Sequence, residues 1–148
     1  MNKVLIPNEI MLAEVTRMIN EGKSVIIMTK GASMYPFIRG EVDSVELFQI
    51  PDPRPGDIVL AQITRGVYVL HRIKAIDGDA VTLKGDGNLD SEEHCTIGDL
   101  CGRVRYIIHP DGSRVDCTTE KFERRSRRWR ERSRFFRRYF LAIYRRVI

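Results

Sequence analysis

A chain of 148 residues, 43% hydrophobic and 30% charged, has the size and balance of one globular domain with a modest core. No run reaches the roughly 18 apolar residues of a membrane-spanning helix, and the short apolar start broken by Glu9 is no secretory leader, so a cytoplasmic or membrane-surface location is expected. The net charge of +5 is unevenly spread: residues 120–148 hold twelve Lys or Arg against three Glu, a net +9, which leaves −4 on residues 1–119. The division expected from this is a domain over 1–118 and a basic aromatic helix over 119–148.

Three scattered cysteines, Cys95, Cys101 and Cys117, read as reduced thiols and not as a disulfide framework. No Cys-x-x-Cys or His-x-x-x-His spacing is present, and the adjacent His94 and Cys95 are too few for a metal site. Neither a metal nor a cofactor is expected.

In chain order, residues 8–21 predict a helix. Asn8 is the candidate cap, Glu9 suits the positive end of the dipole, and Ile10, Met11, Val15, Met18 and Ile19 share one face. Residues 24–29 are a β-branched run that predicts a buried strand. Further strands are predicted over 43–48, 57–63, 67–76, 80–83, 102–108 and 113–117, with a hairpin loop at Asp77-Gly78-Asp79. Residues 119–146 predict one long helix, capped by Thr118 or Thr119, with an aromatic stripe through Phe136, Tyr139, Phe140, Ile143, Tyr144 and Val147. The predicted class is mainly β (α+β), with one N-terminal helix and a long basic amphipathic C-terminal helix.

Three segments carry the candidate chemistry. Lys30-Gly31-Ala32-Ser33-Met34-Tyr35-Pro36 sets a hydroxyl behind a glycine that permits a sharp turn. Pro36 fits the first turn of a helix starting after Ser33, whose free N–H groups could hold an oxyanion; the plainer reading is a serine cap. In Val69-Leu70-His71-Arg72-Ile73, alternation puts His71 on a face with Val69 and Ile73, where an imidazole stays neutral as a general base must. The plainer reading is a core histidine. Lys84-Gly85-Asp86-Gly87-Asn88 supplies a carboxylate. With a three-residue hairpin loop, Ile76 pairs with Ala80, Ile73 with Leu83, and His71 faces Gly85, so that Asp86 could orient the imidazole. A two-residue loop pairs His71 with Lys84, which could then serve as the base. Asp90 and Glu92 are the other candidate acids.

On these segments the chain resembles the signal peptidase and LexA-type serine peptidase superfamily, over roughly Val25 to Tyr106. Gly31-Ala32-Ser33-Met34-Tyr35-Pro36 is similar to its nucleophile box, and Pro55-Gly56-Asp57-Ile58-Val59 to its Gly-Asp strand. The His71-Arg72 pair and Lys84-Gly85-Asp86-Gly87-Asn88 are similar to the Ser-His branch of signal peptidases, and Gly102-Arg103-Val104 to the closing strand. The resemblance implies a signal-peptidase/LexA-like β-rich fold and a serine endopeptidase acting on an extended peptide or protein segment. It assigns Ser33 as nucleophile, His71 as base and Asp86 as acid, with Gly31 and Met34 beside the substrate; the family's second acid falls on Glu92. The membrane anchor usual in signal peptidases is not seen. Self-cleavage is not expected, since the sole Cys-Gly, Cys101-Gly102, lies downstream of Ser33. A catalytically inactive peptide-binding or membrane-surface adaptor of the same fold is the alternative.

Arginines interleaved with Trp129, Phe135, Phe136, Tyr139 and Tyr144 in residues 120–148 fit an anionic membrane surface or a helix packed on its own domain. Nucleic acid is the least favoured partner.

Overall fold

The computed structural model describes residues 3–5 and 9–147. Among these, nine strands make one mainly antiparallel sheet: β1 (Lys3–Leu5), β2 (Val25–Met28), β3 (Ser44–Phe48), β4 (Ile58–Thr64), β5 (Val67–Asp77), β6 (Ala80–Lys84), β7 (Glu93–Thr96), β8 (Leu100–Ile108) and β9 (Arg114–Asp116). Their order is β1-β2-β3-β8-β4-β5-β6-β7, with β9 paired to β8 and only β1 and β2 parallel. The helices are α1 (Glu9–Asn20), α2 (Glu120–Glu131) and α3 (Arg134–Val147). The protein is thus mainly β with helices, as its pattern of strand-forming runs predicts. Asn8, the expected cap of α1, lies outside the described residues.

The sheet wraps around β4. Ile58 and Leu60 enter one buried cluster with Leu12, Val15 and Ile19 of α1, while Val59 and Ala61 enter a second with Ile73, Val81 and Leu83. A strand buried on both faces reads as a continuous apolar run, as Ile58-Val59-Leu60-Ala61 does. α1 ends at Gly22 in the left-handed region (φ 89°), where the Lys23 N–H donates to the Met18 carbonyl at 3.1 Å.

The β5–β6 hairpin departs from both predicted registers at its turn and keeps the first of them beyond a bulge. Asp77 pairs with Ala80, so the loop has two residues and not three, and Ile76 faces Val81 instead of Ala80. Gly78, with φ 60°, takes the first loop position, which only glycine fills without strain. A bulge between Ile73 and Ala75 then slips the ladder by one residue, restoring Ile73 opposite Leu83 and setting Arg72 opposite Lys84. Lys84 therefore does not face His71.

The predicted C-terminal helix is two helices. Arg132 is extended (ψ 151°), and the Ser133 hydroxyl accepts from the Phe136 N–H at 3.1 Å, starting α3 afresh. In one straight helix Trp129 and Phe140 would sit about 16 Å apart. Here their ring centroids lie 5.4 Å apart because α3 turns back toward α2. α2 is packed on the sheet: Phe122 joins the larger core cluster, Ser126 and Trp129 are buried, and Trp129 Nε1 donates to the Asp86 carbonyl at 3.0 Å. Among the described residues no helix is long and apolar enough to cross a membrane.

Candidate active site

β2 delivers the chain to Ser33, as its β-branched run predicts. Residues 33–37 are successive turns and not the predicted helix start; the Tyr35 N–H donates to Ala32 O at 3.2 Å and the Ile38 N–H to Met34 O at 3.0 Å. The loop from 29 to 43 is closed by the fully buried Asp43. Its carboxylate accepts from Arg39 N and Nη2 at 2.8 and 2.9 Å and pairs with His109 Nδ1 at 2.9 Å. Burial raises the Asp43 pKa, but the Arg39 and His109 hydrogen bonds outweigh it and hold the carboxyl below its usual range.

Ser33 and His71 line one cleft of about 290 Å³ with Gly31, Met34, Tyr68, Val69 and Leu70. Gly31 turns the backbone there with φ 77°, and Met34 is buried, its Sδ accepting from the Asp86 N–H at 3.5 Å. Gly85 packs closely between the Ser33 loop and His71. A β-carbon on it would lie 2.4 Å from Ser33 O and 3.2 Å from His71 Nε2. Next to it, the Gly87 N–H donates to Ser33 O at 2.8 Å. We expect Gly85→Ala to push the Ser33 loop off the imidazole, costing about 1–3 kcal/mol of stability. Thermal melting checks this; a variant of unchanged stability would contradict the placement.

His71 is buried, and its Nδ1 lies 2.5 Å from Glu93 Oε1. Ile73, Leu83 and Glu93 form one cross-strand row over β5, β6 and β7. His71 lies two residues before Ile73 on the same face, so the Glu93 carboxylate at the end of this row reaches its Nδ1. With Nδ1 protonated toward Glu93, Nε2 keeps its lone pair.

The candidate acids separate clearly. Asp86 does not orient His71, although its place after Gly85 predicted that it would. It receives Arg72 Nε at 2.8 Å and Nη2 at 2.7 Å in a buried bidentate pair, and Arg72 Nη1 also donates to Gly56 O at 2.9 Å. Glu92 pairs with Lys74 and Asp90 with Arg134, both at the surface. Lys84 lines a different hollow, with Trp129 and Arg137, away from Ser33; burial first, then Lys74, lowers its pKa.

Sequence reasoning missed Glu93, one position beyond Glu92, and Gly40, where a β-carbon would lie 1.9 Å from Gly31 O. The signal for Gly40 was available: a second glycine is required where two loop backbones touch. The cysteines are free and none lines the cleft; burial pushes the Cys117 thiol up to about 12. No protein-family model matches the chain, and no curated protein is significantly similar to it.

Proposed function

We propose that the protein is a serine endopeptidase of the Ser-His type, with Ser33 as nucleophile, His71 as general base and Glu93 as the acid that orients it. The observation that carries this reading is a buried histidine held at Nδ1 by Glu93 while sharing a cleft with Ser33. An isolated core histidine needs no such companion at a serine-lined opening.

Ser33 Oγ would attack the peptide carbonyl as His71 Nε2 takes its proton, and the imidazolium would be stabilised by Glu93. That proton then passes to the leaving amine, which departs and leaves an acyl ester on Ser33. Water, deprotonated by His71, hydrolyses the ester. The Ser33 N–H and a neighbouring donor would hold the oxyanion. An extended substrate would lie along β5, where Val69 and Leu70 line the cleft beside His71. Small side chains near the cut bond are what the family resemblance implies.

A peptide-binding module without chemistry is the second reading. It is favoured by the absence, among the described residues, of a hydrogen bond from Ser33 to His71. A library of extended peptides analysed by mass spectrometry separates the two. Cleavage by the wild type that Ser33→Ala abolishes, with binding retained, is the expected result. Binding by both with cleavage by neither would establish the module.

A further inference from the structure

α3 carries an apolar face that nothing in the described fold covers. Phe135 is 82% exposed, Tyr139 63% and Ile143 46%, with Phe136 and Phe140 at 39% and 37% beside them. Phe135, Tyr139 and Ile143 fall at i, i+4 and i+8 and so form one row along the helix. Phe136 and Phe140 stack beside that row at 6.2 Å between centroids, and Arg132 lies over the Phe136 ring at 4.8 Å. Arg134 and Arg138 run along the other side, and the helix sequence contains no Asp or Glu. The opposite side of α3 is engaged with the fold, through buried Leu141 and through Tyr144, whose hydroxyl donates to Pro36 O at 3.3 Å.

We propose that this face docks on an anionic lipid surface, with Phe135, Tyr139 and Ile143 entering the interface and Arg138 and its neighbours meeting lipid phosphates. The patch is the convex side of a helix and not a groove, which suits a deformable interface better than a rigid ligand. A second copy seated on it would bring two arginine rows of equal sign together. Nucleic acid would engage the arginines but leave Ile143 and Phe135 without a role.

Docking would also place the cleft. The Tyr144 and Tyr35 rings meet edge-on at 5.7 Å, so α3 rests against the turn that holds Ser33. A docked protein therefore holds the Ser33 turn across the width of α3, about 10 Å, from the lipid, and its substrate would be an extended segment close to that surface. That consequence rests on the peptidase reading; the docking does not.

Vesicle flotation tests it, using the full chain and the triple variant Phe135→Ser, Tyr139→Ser, Ile143→Ser with phosphatidylcholine vesicles, plain or one-third phosphatidylglycerol. Each engaged arginine adds about fivefold to partitioning on anionic lipid. The wild type is expected to bind the anionic vesicles tenfold or more above the plain ones, less so at high salt. The triple variant, whose changed side chains are exposed, is expected to keep its circular dichroism and lose binding. Absent flotation of the wild type, or equal flotation of the variant, would overturn the proposal. So would a dimer that the variant dissolves without any lipid binding, or oligonucleotide binding without flotation. Serine labelling in lipid-free solution is expected to be equal in the two proteins. A failure of labelling in both would count against the peptidase reading and leave the flotation result standing.

Discussion

Replacing Asp86 by Ala is expected to destabilise the protein by about 3–5 kcal/mol, a large share of what a domain of this size has. The loss follows from what Asp86 leaves behind. Arg72 is 2% exposed, donates twice to Asp86, and lies over the rings of Phe37 and Phe122 at 5.3 and 5.7 Å. Without the carboxylate a guanidinium stays buried with, among the described residues, only the Gly56 carbonyl to receive it. The same residue anchors α2 through its own carbonyl, which accepts from Trp129. Removing both charges together, as in Arg72→Met with Asp86→Leu, is expected to recover most of the loss, because an apolar pair of similar volume bears no desolvation cost. Urea unfolding of the three proteins measures this. Equal stability of Asp86→Ala and wild type would show that the pair holds nothing together.

Changing Glu93 to Gln is expected to do the reverse: leave the fold and reduce turnover by about a thousandfold or more, with little change in KM. The glutamine would fill the same space at the sheet edge, but an amide can present its N–H₂ to Nδ1 and so favour the wrong tautomer of His71. It also removes the charge that would stabilise the imidazolium. Glu92→Gln is expected to be nearly silent, because Glu92 meets only Lys74 at the surface, where ion pairs contribute little. Steady-state kinetics on a cleaved peptide decides between these neighbours. A large loss at Glu92 with none at Glu93 would return the acid to the position that the family resemblance implied.

That one-residue difference shows what the sequence could and could not convey. Buried strands were legible because Val25-Ile26-Ile27 and Ile58-Val59-Leu60 announce themselves as apolar β-branched runs. β7 has no such run. Its Glu-His-Cys-Thr segment lies at the sheet edge with half-buried and exposed residues alternating, so neither the strand nor the inward direction of Glu93 could be read from it. The bulge at Lys74 was equally silent, since Ile73 opposite Leu83 fits the apolar pattern whether or not the ladder slips before the turn. The joint between α2 and α3 was hidden by phase. Phe122, Ser126, Trp129, Ser133, Phe136 and Phe140 continue at helical spacing straight through the break, and only Ser133, a cap residue in mid-helix, marks it. Ser33 and His71 were found by their surroundings in sequence and do share a cleft; their catalytic roles belong to the proposal.

A fluorophosphonate probe, with the labelled residue mapped by peptide mass spectrometry, asks whether Ser33 is an activated nucleophile. Stoichiometric labelling at Ser33 is expected in the wild type, lost in Ser33→Ala and in His71→Ala, and slowed in Glu93→Gln. A folded wild-type protein that takes up no probe, or labels at a residue other than Ser33, would contradict that role for Ser33.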